Sequence, residues 1–317
     1  MYIEQGYKGD LGAWNFIVIP VLFILFMAVN YVFALSLADQ GKSVEESMQA
    51  MINSMGKLPF LVFNLLVFAV GLAAVFLWTK YINRQSITSL TTSRRHIDCK
   101  RVFFMFVFWG VLSLSMILLG VYLEPESFVF NLDWGRFIPL LIVVVLLIPI
   151  QTSFEEYLFR GQFMQGLGIA TGTRWVPFIV TSVMFGLMHG ANPEVEKLGW
   201  EVMIFYIGTG FLLGAMTLLD EGLELALGFH AANNMVAALM VTSTWTALQT
   251  DSAYLDISEP SFSWTDVLPI VIGYPIILLI LGRVYKWKNW GSKLFGKVMS
   301  EEEFYSFENT PQQETAI

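Results

Sequence analysis

Residues 140–160 read LLIVVVLLIPIQTSFEEYLFR: an uncharged apolar run to Ile150, then Glu155, Glu156 and Arg160 in quick succession. Blocks of about twenty apolar residues are what a helix needs to cross a bilayer. They recur at roughly 14–37, 58–81, 102–122, 137–155, 175–189, 202–219, 223–243 and 264–284. A membrane β-barrel would instead alternate in ten-residue segments. The expected fold is therefore all-α, a polytopic membrane protein with a bundle of about eight transmembrane helices. Composition agrees, at 56% hydrophobic and 14% charged with mean hydropathy +0.61, against about 25% charged in a soluble domain.

A charge at mid-bilayer costs about 2.5–3.5 kcal/mol on insertion scales, so the three together would cost roughly 8–10 if unpartnered. Ionisable residues in such helices are functional candidates by default. Helix periodicity sorts them: Glu156 and Arg160, four apart, share a face and can neutralise each other. Glu155 projects about 100° away and faces something else.

Two further polar clusters lie in greasy sequence, Phe185-Gly-Leu-Met-His189 and His230-Ala-Ala-Asn233-Asn234. Each again spaces its outer members four apart, one polar stripe per helix. Thr171-Gly-Thr-Arg174 breaks the pattern and makes a helical hairpin. Glu155 lies as far before Gly172 as His189 lies after it, about 25 Å at 1.5 Å per residue, so the two stand level. If that turn is cytoplasmic, the hairpin either protrudes from the membrane or places the site in its outer half. His230, about 11 Å from the turn near Gly222, favours protrusion.

The ordered triple Glu-Glu-x-x-x-Arg, Phe-x-x-x-His and His-x-x-x-Asn resembles the CPBP family (CAAX proteases and bacteriocin-processing enzymes, formerly the ABI family), which includes the type II CAAX prenyl endopeptidases. The likeness covers about residues 137–243, and the N-terminal half shows no specific similarity. It implies an intramembrane endopeptidase, usually labelled a metalloprotease. Glu155 matches the catalytic glutamate and His189 the histidine that helps it activate water. His230 and Asn234 match the pair that binds the water or the oxyanion. Glu156 and Arg160 match supporting positions, with Phe185 carried by the second motif. General chemistry agrees, since peptide hydrolysis needs a base, a water and donors aimed at the tetrahedral oxygen. Without a His-Glu-x-x-His, and with Arg160 beside the site, metal-independent chemistry is favoured. If zinc binds, Glu155, His189 and His230 are its ligands.

Around this core, residues 1–136 read as scaffold helices with a basic loop at 80–101, 244–290 as a last loop and helix, and 291–317 as a disordered acidic tail. Loop 39–57 reads as a short amphipathic helix on the outer surface or a solvated linker. Small residues in the sixth and seventh segments (Gly208, Gly210, Gly214; Gly228, Ala231, Ala232) allow tight packing in the bundle. Lysines and arginines collect in cytoplasmic loops. Here Lys80, Arg84, Arg94, Arg95, Lys100 and Arg101 fall on one side with Arg283, Lys286, Lys288, Lys293, Lys297, Lys8, Arg160 and Arg174. Only Lys42, Lys57, Arg136 and Lys197 oppose them, so both termini are expected in the cytoplasm. Polar Met1–Asp10 and a long first apolar run argue against a cleaved signal peptide. Cys99, the one cysteine, permits no internal disulfide.

A net charge of −8 argues against nucleic acid as a partner. The expected partners are the lipid bilayer and a membrane-associated peptide or protein substrate. A prenylated CAAX tail is one candidate substrate. A non-catalytic peptide-binding or bacteriocin-immunity protein is the alternative, although a pure binder would not need Glu155, His189 and His230 together. A transporter would carry inverted repeats, and none is visible. His96 reads as a solvated loop residue and Asn233 as a structural hydrogen bond between helices. Asp220, Glu221, Glu224, Glu194 and Glu196 read as solvated loop charges.

Overall fold

The computed structural model describes residues 1–39, 41 and 43–309. Lys42 and the last eight residues of the expected tail lie outside them. After two 3-10 turns at Ile3–Lys8 and Ala13–Phe16, the first half comprises α1 (Val18–Asp39), α2 (Val44–Met55), α3 (Lys57–Leu77), α4 (Ile87–Thr91) and α5 (Cys99–Leu123). Strand β1 (Phe128–Phe130) leads to α6 (Trp134–Glu156), which continues through a π-helical stretch at Tyr157–Phe163 into α7 (Met164–Thr171). Then come α8 (Trp175–Leu187), α9 (Pro193–Leu198), α10 (Met203–Asp220), α11 (Glu224–Met240), β2 (Val241–Thr242) and β3 (Tyr254–Asp256). The chain closes with α12 (Tyr274–Val284), α13 (Trp290–Phe295) and α14 (Glu301–Asn309).

All eight expected segments are helical. Six helices among the described residues are long and apolar enough to cross a membrane. The other two, α8 with 13 residues and α11 with 17, are shorter; α11 is largely buried, whereas α8 exposes Trp175, Ile179 and Leu187. Helix α11 packs on α5 and α6, α8 packs on α10, and α3 covers α6. Helix α8 with the turn after it carries the second polar motif, and α11 carries the third. A small sheet departs from a purely helical fold: β3 pairs antiparallel with β1 and parallel with β2.

The helix from Trp134 to Thr171 is continuous over 38 residues, about 57 Å at 1.5 Å per residue and nearly twice the hydrocarbon thickness. Its first half exposes Ile138, Ile142, Val145 and Leu146, whereas Gln151 to Gln165 is buried apart from a partly covered Ser153. The second half of this helix is thus enclosed by protein, whereas the first half presents apolar side chains outward. The N-terminal turn sheathes the buried half: the Tyr2 hydroxyl donates to the carbonyls of Leu90 (2.8 Å) and Arg160 (2.9 Å), and Glu4 pairs with Arg174.

The small residues bring helices close, as expected, with α8 and α5 as their partners. A Cβ on Gly210 would collide with the Ser182 carbonyl, and one on Gly228 with the Val102 carbonyl. Gly210→Ala is accordingly expected to cost about 1–3 kcal/mol by forcing backbones apart. A wild-type melting temperature in detergent would contradict this. Two expectations change. Part of the supposedly disordered tail is helical, because α14 tucks Phe304 against Tyr7 while Glu308 pairs with Lys8 at 2.7 Å. Asp220 and Glu224, in turn, are buried rather than solvated. Arg94 bonds both, Arg101 bonds Asp220, and the Trp287 indole donates to Asp220. Within the expected amphipathic stretch, Val44–Met55 forms α2, which starts with a Ser43–Glu46 capping box and lays Met48 and Ile52 on Phe60. His96 is exposed, and Asn233 bridges α11 to Trp109 of α5 at 3.2 Å, both as expected.

Candidate active site

Two consecutive glutamates end α6, and one histidine from α11 reads both. His230 Nδ1 lies 2.8 Å from Glu156 Oε1, while its Nε2 lies 3.4 Å from Glu155 Oε2. Adjacent helical residues point about 100° apart, so the imidazole fills the angle between them. A carboxylate only accepts; Nδ1 therefore carries a proton and donates it to Glu156, which sets the tautomer. Nε2 faces Glu155.

Glu156 is held from the other side by Arg160, whose Nη1 donates to the same Oε1 at 2.9 Å. Both side chains are fully buried. The guanidinium also donates from Nη2 to the Gly210 carbonyl at 3.0 Å and covers the Phe185 ring at 4.3 Å. The i,i+4 pairing expected from the sequence survives although Arg160 sits in the π-helical stretch, a distortion often found at functional sites. The α8–α10 approach described above is what brings the Gly210 carbonyl within reach.

Glu155 takes the other direction. It opens on a cavity of about 510 Å³ whose polar wall is Gln151, Glu155, His189, Glu194, Tyr206 and Asn234, opposite Phe60, Leu65 and Phe68 of α3. Gln151, one turn earlier, donates to Glu155 Oε1 at 2.7 Å and accepts from Asn234 Nδ2 at 3.2 Å. Glu155 Oε2, although buried, has no hydrogen-bond partner; its approach to His230 lacks bonding geometry. His189, in the turn after α8, bonds its Nδ1 to the Phe185 carbonyl at 2.9 Å. Because a carbonyl accepts, Nδ1 is protonated and Nε2 keeps its lone pair. Its ring stacks on Tyr206, centroids 4.2 Å apart and 12° from parallel.

The structure therefore brings Glu155, His189 and Asn234 to one cavity wall, with His230, Glu156, Arg160 and Phe185 directly behind. Sequence reasoning missed Gln151, whose signal was a lone amide four residues before Glu155 in an apolar run. It also missed Tyr206, one aromatic among many, and read Glu194 as solvated. Glu194 instead accepts from the Tyr206 hydroxyl, from Asn192 Nδ2 (3.0 Å) and from the Ala247 N–H (2.9 Å).

Zinc would have to be held by Glu155, His189 and His230. Among the described residues no three His, Cys, Asp or Glu groups are arranged to hold a metal ion, and the Arg160 cation lies behind the same carboxylates. The donor set as arranged does not fit zinc, and no step is derived through one.

Residues 134–236 match a family model described as type II CAAX prenyl endopeptidase Rce1-like. The matched segment begins at the first residue of α6 and ends within α11, so it takes in every motif residue named above. It leaves out α1–α5. In Bacillus subtilis (strain 168), the uncharacterized protein YyaK is 29% identical over 177 residues, which is 56% of this chain and 59% of that protein. The match thus spans under two thirds of the relative's length. No solved structure matches this chain.

Proposed function

We propose that this chain is an intramembrane endopeptidase, similar to CAAX proteases, that hydrolyses a peptide bond in a membrane-associated protein or peptide. One observation carries the reading: a buried glutamate with one carboxylate oxygen that has no hydrogen-bond partner lines the same cavity as a histidine and an asparagine. Glu155 takes a proton from water as its oxygen attacks the carbonyl carbon, and delivers that proton to the leaving nitrogen as the C–N bond breaks. His189 Nε2 orients the water. Asn234 keeps a second amide hydrogen for the developing oxyanion, the role preorganised donors play in acyl transfer. Glu156 and Arg160 hold His230 against Glu155.

A second cavity of about 780 Å³ between α1 and α3 shares Met27, Phe60, Asn64 and Phe68 with the first. Its apolar wall supports a substrate with a long apolar portion, a prenylated CAAX tail among them. The basic 80–101 loop and C-terminal region support cytoplasmic placement of both termini.

The deciding experiment presents purified protein in liposomes with quenched fluorescent peptides, prenylated and unprenylated near their C-terminus. Mass spectrometry then identifies the bond cut, and Glu155→Ala serves as control. Saturable binding without cleavage of any peptide would make the chain a non-catalytic binder. The same assay tests metal. Under the proposed chemistry, 1,10-phenanthroline leaves the rate unchanged. A loss of activity restored by added zinc would return Glu155, His189 and His230 to the status of ligands.

A further inference from the structure

His189 stands in a turn, past the last residue of α8, where the helix no longer limits its side-chain rotamers. Its orientation must come from neighbours. On one side the Phe185 ring lies at 5.3 Å, tilted by 57°, and on the other Tyr206 lies nearly parallel at 4.2 Å. Tyr206 is itself fixed at its far end, where its hydroxyl donates to Glu194 Oε1. The second oxygen of Glu194 accepts from the backbone of Ala247, in the 243–250 segment that lines the cavity together with Thr246, Leu248 and Gln249. A carboxylate between a ring, an asparagine and a loop amide is an unusual expense for mere solubility.

We infer that Tyr206 and Glu194 are positioning residues that hold His189 with Nδ1 on the Phe185 carbonyl and Nε2 toward the cavity, Glu194 being anchored in turn by the Ala247 N–H. The role rests on the proposed hydrolytic function, but the geometry it asserts is testable without any substrate. If Tyr206 swung away, the imidazole would lose its stacking partner and turn about χ2, breaking the Nδ1–H bond and withdrawing Nε2.

The chain has three histidines, His96, His189 and His230, so a histidine-labelled sample shows three imidazoles, assigned by single replacement. Tyr206→Phe keeps the ring and removes the hydroxyl bond to Glu194. Glu194→Gln keeps shape and an acceptor for Tyr206 but presents an amide to the Ala247 N–H. In both variants the His189 Nδ1–H resonance is expected to shift or broaden while His96 and His230 stay in place. On a cleaved peptide kcat should fall with KM little changed, up to about 100-fold, the penalty for misplacing a catalytic group by an ångström. An unchanged His189 resonance in both variants would overturn the inference whether or not the protein cleaves peptides. Equal movement of all three signals in Tyr206→Phe would also overturn it, since the effect would not be specific to His189. Should His189 respond while wild-type protein cleaves nothing, the positioning stands and only the proposed hydrolysis falls.

Discussion

Glu155→Gln is expected to lower peptide turnover by about 10²–10⁴-fold, the usual contribution of a general base, with no loss of thermal stability. The local geometry explains why the two readouts separate. Glutamine retains an oxygen to accept from Gln151, which now donates to Glu155 Oε1 at 2.7 Å. Its amide takes the place of Oε2, 3.4 Å from His230 Nε2. The variant therefore loses proton-accepting capacity while keeping the bond to Gln151, and removal of a desolvated charge is neutral or stabilising. Peptide affinity should change little. Turnover equal to wild type on the same substrate would remove Glu155 from the mechanism. A drop in turnover accompanied by a lower melting temperature would assign it a structural role instead.

The second large effect is on stability. Arg160→Ala is expected to cost about 3–5 kcal/mol, because removing one partner of a buried pair leaves the other charge uncompensated. Glu156 would keep only His230, the Gly210 carbonyl would lose the guanidinium while keeping Ser182 at 3.0 Å, and the Phe185 ring would lose its cover. A double variant, Glu156→Gln with Arg160→Met, should recover part of the loss, since neither charge is then stranded. Measured as melting temperature in detergent, an unchanged value for Arg160→Ala would refute the account. A double variant less stable than the single one would show that Glu156 is needed for His230 more than for Arg160.

Much of the candidate site was legible in one dimension because it is local. Glu156 and Arg160 pair along one helix, and Phe185 and His189 bond within one turn, both consequences of spacing by four. The helical bundle follows from the same source, since uncharged blocks of bilayer length admit no other spanning structure. The hairpin about Gly172 was legible too, through the break at Thr171–Arg174. What failed to be read correctly is the environment of isolated charges. Asp220, Glu224 and Glu194 look solvated in sequence, yet their partners Arg94, Arg101, Tyr206 and Ala247 come from elsewhere in the chain or across a turn.

By itself, then, the sequence determined that this is a helical membrane protein with three inward polar stripes, because insertion energetics and helical period act on neighbours in the chain. Only the tertiary structure decided that His230 sits between two glutamates, that Gln151 bridges Glu155 to Asn234, and that α8 and α11 are the two short helices. It also decided that Tyr206 lies flat against His189. Those contacts depend on how closely α5, α6, α8, α10 and α11 approach one another. That approach is set by where Gly210 and Gly228 let backbones touch, and a periodic pattern marks such positions without naming the helix on the other side.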